Sequence, residues 1–446
     1  MKFRKIVQLL LLMLIIVSVA ACSATPVDEP AEEEVIVDQP DEVVDEIVEI
    51  EFYFPEGFGR PEGFGLVIDA FEEKYPNIKV NVRLNTWADF KPSLPIMWAS
   101  DNVADVVLTN GPDIQEFAYY GALLPLDDLF PPSELEKYAS GIVTEATYEG
   151  SIYGAPFTDS AIAFYYNRDM FEAAGFEAPA TLDEAWTFDE WLANIQEIVA
   201  VAEAERGQKV WGLVTLNNPP FGSYWNTWIP RSAGEKGSPT FMGISEDGTT
   251  LSGYLDTPES LAALQFYQDL FQVHELMPTA DIPDAFATGQ AACYMAFVTV
   301  GRFLDIDYPD LNWGVMPLPY FVTPLTHTGS FAPSISAKSA HPEEAKIFLR
   351  FLTQEEGLLI YLGHSPTIPG NIEVRSEIPE LEGYAKMFLD LNEQWGVPRP
   401  MSPGHAIYDE IIATDMMLDI ALGADVETRV RQAIQEAEAQ LAQFKK

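Results

Sequence analysis

The sequence predicts an α/β protein with largely parallel sheets, on three observations. Short β-type runs alternate with amphipathic helical stretches from Glu51 onward. Val103–Leu108 is apolar but for Asp105, as in a strand largely buried on both faces. The chain is 48% hydrophobic and 12% aromatic, ample for a large core, and its length points to two lobes. Ile50–Phe54 reads as the first strand and Leu66–Tyr75 as a helix stopped by Pro76. Ile78, Val80, Val82 and Leu84 alternate as the second strand. Ile162–Tyr166, Val210–Thr215, Ala292–Val298 and Trp313–Met316 follow as strands. Phe188–Glu205, Ser260–His274, Pro342–Glu356 and Ala424–Phe444 read as helices.

The N-terminus orders Lys2, Arg4 and Lys5, an apolar run Leu9–Val17, and small residues before Cys22, which is the layout of an export signal. Val19-Ala20-Ala21-Cys22 resembles the bacterial lipobox, which implies a signal peptide over 1–21 and a lipid on Cys22. The chain is then extracytoplasmic and tethered to the cell membrane; an uncleaved anchor over Ile6–Ala21 is the alternative. Ser23–Glu49 holds 11 Asp and Glu and no Lys or Arg, so 22–49 is expected to be an unstructured acidic tether.

Formal charge is −44, of which −36 falls on the body after Glu49, and a surface this acidic argues against nucleic-acid binding. With Cys22 acylated, Cys293 stands alone, so no disulfide framework exists and this thiol is expected to be a buried small hydrophobe. The five His show no ligand spacing, and neither a metal nor a cofactor is expected. The pairs Tyr119-Tyr120 and Tyr165-Tyr166 raise Fe(III) chelation, but packing explains them better. Pro55-Glu56-Gly57-Phe58-Gly59 and Pro61-Glu62-Gly63-Phe64-Gly65 duplicate a Gly-rich segment that fits no phosphate-loop spacing and reads as a flexible turn.

A series of short motifs in order resembles the family 1 extracellular solute-binding proteins, the maltodextrin-binding-like subunits of ABC importers. The series runs from Phe71-Glu72-Glu73-Lys74-Tyr75-Pro76 through Ala104-Asp105-Val106-Val107 and Tyr120-Gly121-Ala122-Leu123-Leu124-Pro125. Gly150-Ser151-Ile152-Tyr153-Gly154-Ala155-Pro156-Phe157 and Phe164-Tyr165-Tyr166-Asn167-Arg168-Asp169 follow, then Phe286-Ala287-Thr288-Gly289-Gln290 and Gly314-Val315-Met316-Pro317. The resemblance implies a two-lobed periplasmic-binding-protein-like fold of type II, each lobe a mostly parallel sheet flanked by helices, joined by a hinge. Lobe one would be 50–158 plus 302–360, and lobe two 159–301 plus 361–446. It implies a monomer that captures a carbohydrate between its lobes and delivers it to ABC permease transmembrane subunits, without catalysis. Phe303, where the family commonly has Trp, and a long Gly175–Trp191 stretch depart from the pattern.

A sugar offers hydroxyls around apolar C–H faces, so its site needs aromatic plates beside planar polar groups. Asn217–Trp228 mixes four aromatics with turn formers and amides, which makes Phe221, Trp225 and Trp228 candidate ligand contacts. Arg302 and Phe303 follow a strand, and Arg399 and Tyr408 lie in a segment resembling the family's C-terminal contact region. Asn110 ends the third strand, Asp159 sits at the expected hinge, and Phe58, Arg60 and Trp87 lie near strand ends. A surface glycan hydrolase or lyase is the rival class, although no catalytic motif supports it; a ligand-presenting partner of a membrane sensor is the third.

Overall fold

A computed structural model describes residues 47–445 except 57–60, 101, 330, 366 and 379–381. The expected leader, Cys22, most of the tether, Phe58 and Arg60 lie outside the described residues. Residues Glu46–Lys446 form one compact unit.

The first sheet orders Ser334–Ile335, Val106–Val107, Val48–Pro55 and Ile78–Asn85. Val48–Pro55 runs parallel to both neighbours, with Phe52 opposite Val82 and Val106, and Ser334–Ile335 closes the sheet antiparallel. Ile50, Phe52, Tyr53 and Phe54 are all buried because this central strand is covered on both faces. Phe52 meets Phe64 of helix Pro61–Lys74 at 5.2 Å and Phe348 of helix Pro342–Thr353 at 5.4 Å, both edge to face. Two expectations change here. The second Gly-rich copy is not a turn but the start of helix Pro61–Lys74, whose first position suits a proline that has no N–H to offer. The helix expected over Pro342–Glu356 breaks at Gln354, in an extended conformation, before helix Glu355–Leu362.

The second sheet orders Trp313–Met316, Ile162–Asn167, Ala291–Phe297 and Trp211–Thr215. Only Trp211–Thr215 with Ala291–Phe297 is parallel; the other two pairings are antiparallel, so this sheet is mixed rather than mostly parallel. Connectivity is the reason. Ile162–Asn167 carries the chain away from the first half and Trp313–Met316 starts its return, so two adjacent strands must run in opposite directions. Period-two alternation then sorts the side chains. Ile162 and Phe164 pack with helices Phe188–Arg206 and Pro258–Gln272, while Ala163 and Tyr165 face the other way, Tyr165 lying 5.6 Å from Phe388 of helix Ala385–Trp395. Cys293 is fully buried, and burial pushes its thiol far up. No described helix is long and apolar enough to cross a membrane.

The chain passes between the halves three times, and the crossings meet at one carboxylate. Thr158–Asp159 pairs antiparallel with Ile368–Pro369, and Thr326–His327 pairs parallel with Gly396–Val397. Asp159 Oδ1 accepts from the backbone N–H of Ser160 at 2.8 Å and of Gly329 at 3.2 Å, and Oδ2 accepts from Asn392 Nδ2 at 3.0 Å. Two donors come from crossing segments and the third from helix Ala385–Trp395. Asp159 is 0% exposed, which removes it from ligand contact and corrects its expected role: its oxygens are spent inside the hinge. A side chain at Gly329 would collide with Ser160 Oγ and the Tyr224 ring, so the crossing needs glycine for close approach. The border drawn before Arg302 also shifts, because Trp313–Met316 belongs to the second sheet and the chain returns only near Thr326–Ser334.

Truncating Asp159 would leave the Ser160 N–H without an acceptor, and the Gly329 N–H and Asn392 Nδ2 with only the Ser160 carbonyl to share. Asp159→Ala is expected to lower unfolding free energy by roughly 2–4 kcal/mol at pH 7. Asp159→Asn should recover only part, because its amide turns an N–H toward one of those donors. Urea unfolding of both variants checks this; a loss under about 0.5 kcal/mol, typical of plain surface changes, contradicts it.

Candidate functional site

Several strands end where the halves meet. Strand Val106–Val107 leads to Asn110, Ile78–Asn85 to Trp87, Trp211–Thr215 to the loop holding Tyr224 and Trp225, and Ala291–Phe297 ends in Phe297 itself. This is where open α/β sheets collect ligands. Side chains link into a continuous band across the junction. Trp87 lies 6.4 Å from Phe331, whose backbone bridges that of Asn110; Asn110 Oδ1 accepts from Arg399 at 2.7 Å. The Arg399 guanidinium stands 5.7 Å from the Tyr224 ring centre, Tyr224 is 4.9 Å from Trp225, and Trp225 is 5.9 Å from Phe297.

The aromatic loop is held by polar pins. Gly222 adopts φ 87, which a side chain resists, and its N–H donates to Ala413 O at 3.0 Å. Asn226 is fully buried and donates to Pro220 O at 3.0 Å and Ala413 O at 2.7 Å, tying the loop to the π-helical segment Tyr408–Met416. Tyr224 Oη pairs with Ser160 Oγ at 2.7 Å, coupling the loop to the hinge. These ties leave Phe221 half exposed and Trp225 half buried, as plates require, whereas Trp228 is 1% exposed, stacked 5.7 Å from Phe188, and its Nε1–H donates to Trp225 O. Trp228 is therefore core and not a plate.

Cations at the junction are matched. Arg399, 4% exposed, pairs with fully buried Glu145 at 3.4 Å. Lys91 Nζ lies 3.3 Å from both Asp113 and Asp409. Burial opposes the Lys91 charge, but the two carboxylates outweigh it and hold its pKa above the ordinary value. Burial likewise works against Asp409, yet the Lys91 cation and the Ser223 N–H, which donates at 2.8 Å, hold it below the usual range. Arg231 donates to the carbonyls of Phe241 and Pro398 and, at 2.8 Å, meets His327 Nε2; burial and this cation keep His327 neutral. Among the described residues no cluster of His, Cys, Asp and Glu is placed to hold a metal.

Of the expected contacts, Trp87, Asn110, Trp225 and Arg399 join the band, and Phe221 stands half exposed on the same loop. Arg302 and Phe303 do not join the band: Arg302 donates to His364 O at 3.4 Å and Phe303 packs on Tyr308. Tyr408 is fully buried in the second core, which corrects its expected role. Sequence reasoning missed Lys91, Asp113, Tyr224 and Asp409. Lys91 stands four residues after Trp87 on one helical face, a spacing that could have found it. Glu145 gave no signal.

His405 supplies a pH test. Burial pushes its imidazole down to about 4, against the pull of Asp113 and Asp409. As pH falls through 6.5 the unfolded chain takes up a proton that the folded chain refuses, so this contribution is full above 6.5 and lost toward 4. Neutral His405 thus contributes on the order of 3 kcal/mol that acid removes. Because His327 acts in the same direction and Asp159, raised to about 6 chiefly by burial, in the opposite one, a difference is the readout. The stability advantage of wild type over His405→Gln should shrink between pH 7 and 4.5 in paired melts; an unchanged gap contradicts it.

Comparison with known proteins agrees with this geometry. Residues 60–358 match the family model described as bacterial extracellular solute-binding protein. An uncharacterized ABC transporter extracellular-binding protein of Pyrococcus horikoshii is 32% identical over 155 residues, covering 34% of this chain and 35% of that protein, so the match spans about a third of the relative. An ABC substrate-binding protein of Listeria monocytogenes in complex with cycloalternan superposes with TM-score 0.75 at 20% identity, over 89% of this chain and 100% of the other. A solute-binding protein of Thermotoga lettingae bound with alpha-D-tagatose gives TM-score 0.74 at 20% identity, over 89% and 100%. Both share the two-lobed fold. With 60–358 spanning most of the chain, this protein belongs to the bacterial extracellular solute-binding protein family.

Proposed function

We propose that this protein is the substrate-binding lipoprotein of an ABC importer, capturing an uncharged carbohydrate between its halves and handing it to the permease without chemical turnover. The observation that carries this reading is the aromatic band Trp87, Phe331, Tyr224, Trp225 and Phe297, interleaved with amide and guanidinium groups. Rings match the C–H faces of a sugar, and polar atoms at their edges match its hydroxyls. The described cations of the junction, Lys91, Arg399 and Arg231, already have carboxylate, carbonyl or imidazole partners. A phosphate or carboxylate on the ligand would have to break such a pair, which favours a neutral glycan. The carbohydrate ligands named with the Listeria and Thermotoga proteins support the same class.

A melting screen of the chain from Ser23 against neutral oligosaccharides, sugar phosphates and amines tests the ligand class. A true ligand at 100 times its Kd should stabilise the fold by about 2.7 kcal/mol. Trp225→Ala should weaken that ligand about tenfold at nearly unchanged stability, whereas Trp228→Ala should cost roughly 3–5 kcal/mol of stability. A shift by a sugar phosphate or amine with none by neutral sugars overturns the reading. Steady reducing-end release from glycans would favour a hydrolase instead.

The lipid anchor belongs to the same proposal, resting on Val19-Ala20-Ala21-Cys22. Cys22→Ser should move the protein from the detergent-extracted membrane fraction to the soluble extracytoplasmic fraction. Retention of the variant in membranes would point to an uncleaved anchor over Ile6–Ala21.

A further inference from the structure

Asn110, Asp113, Glu116 and Tyr119 recur every three residues along helix Asp113–Tyr119 and its approach. Each of the four meets the chain beyond Pro398. Asn110 accepts from Arg399 at 2.7 Å, Asp113 lies 3.8 Å from His405, Glu116 Oε2 accepts from Ala406 N at 2.9 Å, and Tyr119 sits edge-on to Phe444 at 4.8 Å. The first-half helix is thus stitched along one edge to the C-terminal segment, whose body packs in the second core. At the middle of this seam two carboxylates, Asp113 and Asp409, face each other from opposite halves, and Lys91 stands between them. His405 is neutral at physiological pH, which leaves Lys91 as the cation balancing both acids here.

We infer that Lys91 is an electrostatic clasp between the halves: by separating Asp113 from Asp409 it favours the closed arrangement, and so sets ligand affinity without touching ligand. This rests on the reading that the halves close over a solute. With Lys91 present the seam holds two attractive pairs at 3.3 Å; without it the same seam holds two like charges in a partly dehydrated site. Lys91 is a positioning residue, and its loss turns attraction into repulsion instead of merely deleting a contact.

A ligand-free distance measurement tests it, so its outcome does not depend on which solute is bound. Spin labels at Glu73→Cys and Glu197→Cys, exposed sites on the two halves, report the separation in the chain from Ser23, while buried Cys293 stays unlabelled. The unmodified clasp should show a populated short separation. Lys91→Met should lower the short-to-long ratio by about fivefold or more, and Lys91→Arg should keep it. Lys91→Met combined with Asp409→Asn should recover much of the ratio, because the repulsion is gone; a packing role predicts no such recovery. Equal distributions with and without Lys91, absence of the short separation, or a double variant as open as the single would each overturn the inference.

Discussion

One buried carboxylate organises the molecule. Asp159 takes donors from the outgoing crossing through Ser160, the returning one through Gly329, and helix Ala385–Trp395 through Asn392. An isolated charge in such a place would be strongly disfavoured, and burial does push its pKa up to about 6. Three donors make it tolerable, and no apolar residue could gather two backbone N–H groups and a helix amide in one place. Asn392 extends the knot: its own Oδ1 accepts from Arg375 at 3.3 Å, and Arg375 also binds Pro369 O beside the hinge strand. Apolar packing joins the halves as well, since Tyr165 and Val214 of the second sheet share one core with Phe52 and Phe54 of the first.

Everything at the junction inherits its position from that knot. Ser160, next to Asp159, holds Tyr224 Oη, so the ring facing Arg399 is located by the hinge as well as by its own loop. His327, adjacent to the second crossing, is held by Arg231, and Arg231 in turn binds Pro398 O at the root of the segment that delivers Arg399. A change at the hinge is thereby transmitted through few, short contacts to both sides of the aromatic band. On the proposed reading, such an arrangement would let the halves rotate while Tyr224 and Arg399 keep their places.

The fold was largely legible because each signal was local. Alternation in Ile78–Leu84, the unbroken apolar run at Val106–Val107 and the long amphipathic stretch Phe188–Arg206 require no knowledge of the rest of the chain. Strand direction was not local: the antiparallel pairings of Ile162–Asn167 follow from where the chain must return, which no window of sequence contains. The site was half legible for the same reason. Trp225 and Phe221 stand among turn formers and stay partly exposed, whereas Trp228, three residues after Trp225, carries the same chemistry and is buried against Phe188. Asp159 looked like a free polar group at a hinge because its three donors come from residues 160, 329 and 392. Lys91 and Asp409 are 318 residues apart, and their partnership exists only once the halves meet.

Charge distribution sharpens the contrast between outside and inside. The body carries −36, so a dissolved anion approaching it is repelled at long range and only weakly so beyond a Debye length of about 8 Å in physiological salt. At the junction the balance is different. Lys91 stands against Asp113 and Asp409, Arg399 against Glu145, and Arg231 against carbonyls and a neutral imidazole. Fixed charges are therefore compensated where the solute would lie, and what remains for recognition is shape, ring faces and hydrogen-bond geometry. A neutral glycan meets no repulsion on approach and breaks no ion pair on arrival. An anionic one meets both, and the acidity that looks unspecific in the composition thereby becomes part of the selectivity.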